Sequence, residues 1–253
     1  MKIERIDDYQ IHSYDCDLNG RLSLPVLTRF LQDSAWSQSN DMQIGYHKLN
    51  ENNMTWVLYK QYIEMDKWAV WGDTIRIKTW PSQFDRLICY REFEIFIKNE
   101  LVGKISSSWL VISLDTRRPV RKEKYYSDNL QVGTPLLFPE KIKEKMKTND
   151  QENSVRTQQV HLSDIDVNNH VNNSCYPMWC LNSYPLDFYI NHRLHKIEHQ
   201  FVAEARFGDE LKIVTNHQEG LKYEHSVKRD GKFLYLLKLE WQEEGSKKIT
   251  KDM

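Results

Sequence analysis

The densest polar cluster in the chain reads Ser163-Asp164-Ile165-Asp166-Val167-Asn168-Asn169-His170-Val171-Asn172-Asn173. Asp166 is a carboxylate that can accept a proton, and Asn168 offers both a donor and an acceptor. His170 brings an imidazole, the side-chain type whose ordinary range lies nearest neutral pH. A base, a polar positioner and a proton shuttle are what acid–base catalysis requires. The cluster ends where a helix-like segment begins. Backbone N–H groups at a helix start are unpaired and can receive a developing oxyanion. Asp and Asn also build hydrogen-bonded turns, so the loop taken alone reads equally well as a turn. Asn172 and Asn173 read better as caps than as chemistry. A second carboxylate, Glu204, closes the strand-like run His199-Gln200-Phe201-Val202-Ala203. If it faces a pocket there, burial would tune it toward a general base; a solvent-facing residue is the plainer reading.

The loop has a partner earlier in the chain. Asp17-Leu18-Asn19-Gly20-Arg21 repeats the spacing of Asp166-Val167-Asn168-Asn169-His170. Downstream, Gly72-Asp73-Thr74-Ile75-Arg76-Ile77-Lys78-Thr79 matches Gly208-Asp209-Glu210-Leu211-Lys212-Ile213-Val214-Thr215. Each is a Gly-Asp turn followed by strand alternation. One domain plan is used twice, and the copies differ in their basic residue. Arg21 stands where His170 stands. An arginine stays protonated and cannot shuttle protons, so chemistry is expected only in the second copy.

The elements that position these loops are legible from periodicity. In the first half, strands are expected near 3–14, 55–65, 74–82, 87–98 and 101–113. Phe93, Ile95 and Ile97 alternate there with Glu92, Glu94 and Lys98, as in a half-buried antiparallel strand. A helix should start after Ser23, with Pro25 in its first turn and Leu24, Leu27, Leu31 and Ala35 on one face. Val26 and Phe30 lie off that face and point to burial on more than one side. In the second half, strands fit 155–162, 194–203, 210–218, 223–229 and 233–242, with a hairpin turn at Asp230-Gly231. A short helix fits 174–183, stopped by Pro185. One helix followed by several antiparallel strands, twice, is an α+β chain. The divisions expected are residues 1–139, a charged linker at 140–153 that is partly helical or mobile, and residues 154–253.

Bulk properties narrow the partners. The chain has 253 residues, is 40% hydrophobic and 12% aromatic, and carries a net charge of −1. That charge gives no general drive toward nucleic acid or anionic membrane. No stretch approaches the roughly 20 apolar residues of a membrane-spanning helix. Cys16, Cys89, Cys175 and Cys180 show no Cys-x-x-Cys pair, and the histidines lack ligand spacing, so neither metal nor cofactor is expected. With no signal-like start, reduced thiols in the cytoplasm are the expectation.

Several longer patterns carry a resemblance. They are Leu31-Gln32-Asp33-Ser34-Ala35, Trp56-Val57-Leu58, Ile63-Glu64-Met65-Asp66-Lys67-Trp68, Trp71-Gly72-Asp73, Ser108-Trp109-Leu110-Val111 and Asp115-Thr116-Arg117-Arg118. The most specific is Asp164-x-Asp166-x-Asn168-x-His170-Val171-Asn172-Asn173-x-x-Tyr176. Over nearly its whole length the chain resembles the acyl-acyl-carrier-protein thioesterases of plants and bacteria. The resemblance implies a tandem of two hotdog domains, each a curved antiparallel sheet wrapped around a central helix. It implies hydrolysis of a fatty acyl thioester on the phosphopantetheine arm of acyl carrier protein. The family's catalytic Asp, Asn, His and Glu fall on Asp166, Asn168, His170 and Glu204. Many plant members carry a cysteine after that Glu; here it is Ala205. Water activated by Glu204 is therefore expected, with Asp166 as the alternative base. The first half is expected to house the acyl chain, with Leu27, Leu31 and Trp56 as candidate walls, though each suits an ordinary core equally. Arg117 and Arg118 lie in a basic stretch suited to an acidic carrier protein, or to a solvated loop. A coenzyme A thioesterase of the same fold and a non-catalytic acyl-binding protein are the alternatives. Two fused copies can replace a hotdog dimer, which leaves pairing of whole chains open.

Overall fold

Among the described residues, ten strands form one continuous antiparallel sheet whose order repeats itself. The first half supplies β1 (Arg5–Gln10), β2 (Met54–Met65), β3 (Thr74–Phe84), β4 (Ile88–Ile97) and β5 (Glu100–Ser113). They lie in the order β1-β3-β4-β5-β2. The second half supplies β6 (Ser154–Gln159), β7 (His192–Phe201), β8 (Glu210–His217), β9 (Lys222–Arg229) and β10 (Lys232–Glu243). Their order, β7-β10-β9-β8-β6, is the first order read backwards. The halves join where β2 pairs with β7, from Lys60 opposite Gln200 to Glu64 opposite Lys196. The computed structural model describes residues 4–126, 132 and 134–244. The expected strand start at Ile3 lies outside them.

Alternation explains why these segments are strands. Ile75 and Ile77 on β3, and Phe93 and Ile95 on β4, have no exposed surface, and Leu211 and Ile213 on β8 repeat the pattern. Asp230 and Gly231 both take positive φ, 50° and 75°, which fits the tight hairpin joining β9 to β10.

Among the described residues five α-helices accompany the sheet: α1 (Leu24–Asp41), α2 (Tyr46–Asn50), α3 (Pro139–Lys143), α4 (Cys175–Leu181) and α5 (Leu186–Asn191). Ser23 is the extended N-cap of α1, with Pro25 in the first turn as expected. Leu24, Leu27, Leu31 and Ala35 form its buried stripe. Phe30 leaves that stripe and stacks on Tyr9 of β1, ring centroids 4.4 Å apart. α1 packs on β1 and β3, α4 packs on β8, β9 and β10, and the two helices touch each other. Pro185 does more than the expected stopping of α4: it is the N-cap of α5, a helix the periodicity did not predict. The whole is the tandem hotdog that the resemblance implied. No helix among the described residues is long and apolar enough to cross a membrane.

The charged connection between the halves is partly helical, as expected, but it is not simply a solvated surface. Ile142 and Met146 are buried beneath it. Lys60 on β2 is 1% exposed and uses all three of its donors. Its Nζ donates to the carbonyls of Lys141 and Glu144, each at 2.5 Å, and pairs with Glu198 of β7 at 2.7 Å. The connection is thereby stapled across the joint between halves. One residue departs from the half-buried alternation of β4. Glu92 is fully buried, accepting from Ser82 Oγ at 2.9 Å, from Ser106 Oγ and from the Leu137 N–H at 3.1 Å. Burial pushes its carboxyl above the usual range, against the pull of those donors.

Candidate active site

The second loop is a self-bonded turn before it is anything else. The Asp166 N–H donates to the His170 carbonyl at 2.9 Å, and the Asn169 N–H to the Asp166 carbonyl at 3.0 Å. Asn169 adopts φ 66°, a left-handed value that asparagine tolerates better than most side chains. Asp166 Oδ1 accepts the Asn168 N–H at 2.8 Å. Ile165 and Val171 then pair across the base of the turn. The result lifts Asn168 and His170 together at the edge of the second half. Both are half-buried, and the Asn168 carboxamide makes no hydrogen bond to any described residue.

Glu204 arrives from a different element. It lies three residues beyond the end of β7, in a loop rather than at the strand terminus the sequence suggested. Its side chain is 37% exposed, so it does not sit in the enclosed pocket expected for it. Its neighbour fixes it instead. The Val171 N–H donates to the Ala205 carbonyl at 3.2 Å, and the Ala205 N–H donates to Tyr176 Oη of α4 at 2.9 Å. With Ala205 held on both sides, Glu204 Oε2 lies 3.2 Å from His170 Nε2. Tyr176 was visible in the motif, but its spacing gave no hint of this tether.

The other half completes the cluster. Arg117 Nη2 contacts both carboxylate oxygens of Glu204. The sequence reading put Arg117 with Arg118 in a surface stretch for carrier docking; the structure brings Arg117 to Glu204 and leaves Arg118 exposed. Leu27 and Leu31 are buried in the main core. Trp56 packs both against that core and against a smaller cluster of Leu49, Met54 and Val111, its Nε1 donating to the Ile44 carbonyl at 2.8 Å.

The helix start behaves differently from expectation. The Ser174 N–H donates to Asn172 Oδ1 at 2.9 Å and the Cys175 N–H to the Asn172 carbonyl at 2.9 Å. These two donors are engaged within the loop, which makes Asn172 a capping residue. Ser174 Oγ also accepts from Arg29 Nε of α1 at 2.9 Å, tying the two halves at this point. No cysteine replaces the one missing after Glu204. Cys175 is buried, its Sγ lies 3.8 Å from the Asp164 carbonyl, and burial pushes its thiol up to about 11. Such a thiol is a poor source of thiolate near neutral pH. Among the described residues no group of three His, Cys, Asp or Glu side chains could hold a metal ion.

The first loop has the same frame. The Asp17 N–H donates to the Arg21 carbonyl at 2.7 Å, the Gly20 N–H to the Asp17 carbonyl at 2.9 Å, and Gly20 has φ 71°. Asp17 Oδ1 accepts the N–H groups of Asn19 and Arg21 at 2.8 and 3.1 Å. The Leu22 N–H donates to the Ala69 carbonyl at 2.8 Å, as Val171 does to Ala205. The residue before Ala69 is Trp68, so an indole occupies the place of Glu204. It donates to the Leu194 carbonyl at 2.7 Å.

Known proteins resemble the chain along most of its length. Residues 5–130 match the model of the acyl-ACP thioesterase N-terminal domain, and residues 146–243 that of the C-terminal domain. The chain is 24% identical over 229 residues to a chloroplastic oleoyl-acyl carrier protein thioesterase of Coriandrum sativum, covering 83% of this chain and 62% of that protein. It thus spans less than two thirds of that relative's length. An acyl-ACP thioesterase structure from Bacteroides thetaiotaomicron is 28% identical with TM-score 0.80, covering 94% of this chain and 98% of the other. The 12:0-ACP thioesterase of Umbellularia californica, at 19% identity and TM-score 0.82 over 96% and 99% of the two chains, shares the fold. With both domain models matched in order over most of its length, the chain belongs to the acyl-ACP thioesterase family.

Proposed function

We propose that this chain hydrolyses the thioester between a fatty acyl group and the phosphopantetheine arm of acyl carrier protein, releasing free acid and carrier thiol. One observation carries the reading: in the second loop a carboxylate and an imidazole meet at 3.2 Å beside an Asn carboxamide with no partner among the described residues. Glu204 accepts the proton of a water that attacks the thioester carbon. His170, in contact with the same carboxylate, orients it and passes the proton on as the tetrahedral species collapses. The carbon–sulfur bond breaks and the leaving sulfur is protonated. Asn168 positions the thioester or the water. Asp166 serves the loop, because its Oδ1 already holds the Asn168 N–H. That favours Glu204 over Asp166 as the base.

Housing of the acyl chain falls to residues 1–139 and chemistry to residues 154–253, with 140–153 between them. Leu27 and Leu31 are close-packed, so a chain entering beneath α1 must part that packing. Names of relatives, including the oleoyl enzyme of Coriandrum sativum and an acyl-[acyl-carrier-protein] hydrolase of Cuphea viscosissima, support the carrier-linked substrate and, more narrowly, a long-chain one. Four unpaired cysteines favour a reducing compartment such as the cytoplasm.

The test is free-acid release from a panel of acyl-carrier-protein thioesters beside matching coenzyme A thioesters. Carrier-selective release, lost in Glu204→Ala, is expected. Preference for coenzyme A would place the chain with the other hotdog thioesterases. Tight acyl binding without hydrolysis would make it a binding protein.

A further inference from the structure

The contact between Arg117 and Glu204 crosses from one half of the molecule to the other. Arg117 sits on a turn closed by three bonds. The Ser113 N–H donates to the Arg118 carbonyl at 3.0 Å, the Arg117 N–H to the Ser113 carbonyl at 2.9 Å, and the Thr116 N–H to Ser113 Oγ at 3.3 Å. Ile112 and Pro119 pair across its base. Arg117 itself has φ 54°, a left-handed conformation unfavourable for a long side chain. A closed turn that holds an arginine against its backbone preference aims that side chain at one place. The place is the Glu204 carboxylate, both of whose oxygens it contacts.

We propose that Arg117 is a positioning residue for the reaction, rather than part of the docking surface for the carrier protein; the proposal rests on the thioesterase reading above. A carboxylate offers about four acceptor sites on its two oxygens. Arg117 occupies one on each, and His170 Nε2 lies against Oε2. Oε1 keeps an acceptor site for the attacking water. Glu204 is 37% exposed and stands on a loop, so its own packing does not choose a rotamer. The guanidinium does: its Nη2, set against both oxygens, holds the carboxylate turned toward the Arg117 turn. In this way the first half, which lacks a base, completes the catalytic group of the second.

The side chain can be removed without a folding penalty, because glycine suits a positive φ. Arg117→Gly and Arg117→Lys are compared with wild type on one acyl group carried by acyl carrier protein and by a short pantetheine thiol. In Arg117→Gly, kcat is expected to fall about 100-fold on both substrates, the loss that misplacing a reacting group brings. KM for the carrier-linked substrate should stay within about threefold, and Arg117→Lys should recover part of kcat, since a point charge replaces a planar fork. A loss confined to KM of the carrier-linked substrate, or no loss of kcat, overturns the proposal. The ring nitrogen signals of His170 report its contact with Glu204 without turnover. They should change in Arg117→Gly, and an unchanged spectrum also overturns the proposal. Should wild type release acid from neither substrate, the thioesterase reading fails, while the spectrum still decides what Arg117 does.

Discussion

The two loops differ in their side chains while sharing the main backbone bonds that shape them. Asp17 and Asp166 each accept an N–H from the Asn two residues on, at 2.8 Å in both copies. Gly20 and Asn169 take the same left-handed turn. What the two copies have in common is the frame, and Asp166 belongs to it. What differs is the basic residue, the residue before the tethered alanine, and the state of the Asn side chain. Asn19 Nδ2 donates to the Tyr189 carbonyl at 3.1 Å, and Arg21 pairs with Glu244 and donates to the His192 carbonyl at 3.2 Å. The first loop is thus filled by the second half. The second loop keeps its carboxamide open. The cross-half ion pairs are also reversed: loop cation to distant anion in the first, Glu204 to distant cation in the second.

This comparison breaks if activity survives without the second loop's own residues. Glu204→Ala should lower kcat by roughly 10²–10⁴, the usual contribution of a general base. Undiminished turnover on the carrier-linked panel would sink the assignment. Converting the second loop into a copy of the first is the next largest effect. His170→Arg should cost at least about 100-fold in kcat, because a permanently charged guanidinium cannot relay a proton. The reverse change, Arg21→His, should create no second site, since Trp68 stands where a base is needed; measurable rescue of a Glu204→Ala protein by Arg21→His would refute that.

The halves should also respond oppositely to acid. His199, between Gln61 and Tyr235, and His225, between Tyr184 and Thr215, are buried in the second half and held at about 3 by desolvation. An unfolded histidine takes up its proton below about 6.5 while these cannot, so their contribution to stability is lost as pH falls below that value. Each should cost about 2 kcal/mol by pH 5. Glu92 in the first half has the opposite sign. Its raised carboxyl favours the folded state at low pH, and that contribution fades as pH rises through the raised value. Amide exchange compared at about pH 7.5 and about pH 5, corrected for intrinsic rates, should show β7, β9 and β10 loosening before β3 to β5. Earlier loosening of the first half would overturn the sign. The smallest effect is Glu244→Gln. Arg21 is 5% exposed and would keep only Asp17, at 3.5 Å, as a counter-ion. A loss of about 2 kcal/mol is expected, read as a lower Tm, with kcat within about threefold of wild type. A large fall in kcat would mean that the first loop takes part in turnover.

Much of this was legible before any coordinates. The period of two residues gave strands within a few positions of their observed ends, and the period of three to four gave the start and buried stripe of α1, because burial on one face is a local pattern. The Asp-x-Asn repeat located both loops, because turn chemistry is also local. The short helices α2 and α5 were missed, since five or six residues cannot show a helical period. Glu92 looked solvent-facing because its strand alternates, and only the segment near Leu137 covers that side.

The sequence by itself determined the doubled plan, the arginine standing at the place of His170 in the first loop, the absence of a cysteine directly after Glu204, and the candidate base and imidazole. Each follows from residue identity or from spacing within a few residues. Tertiary structure decided which of those groups meet. Glu204 is 34 residues from His170 and 87 from Arg117, and their contact depends on how Ala205, Tyr176 and a closed turn in the other half are placed. A carboxylate takes its chemical role from the charges and donors within a few ångströms of it, and those neighbours come from three separate stretches of chain.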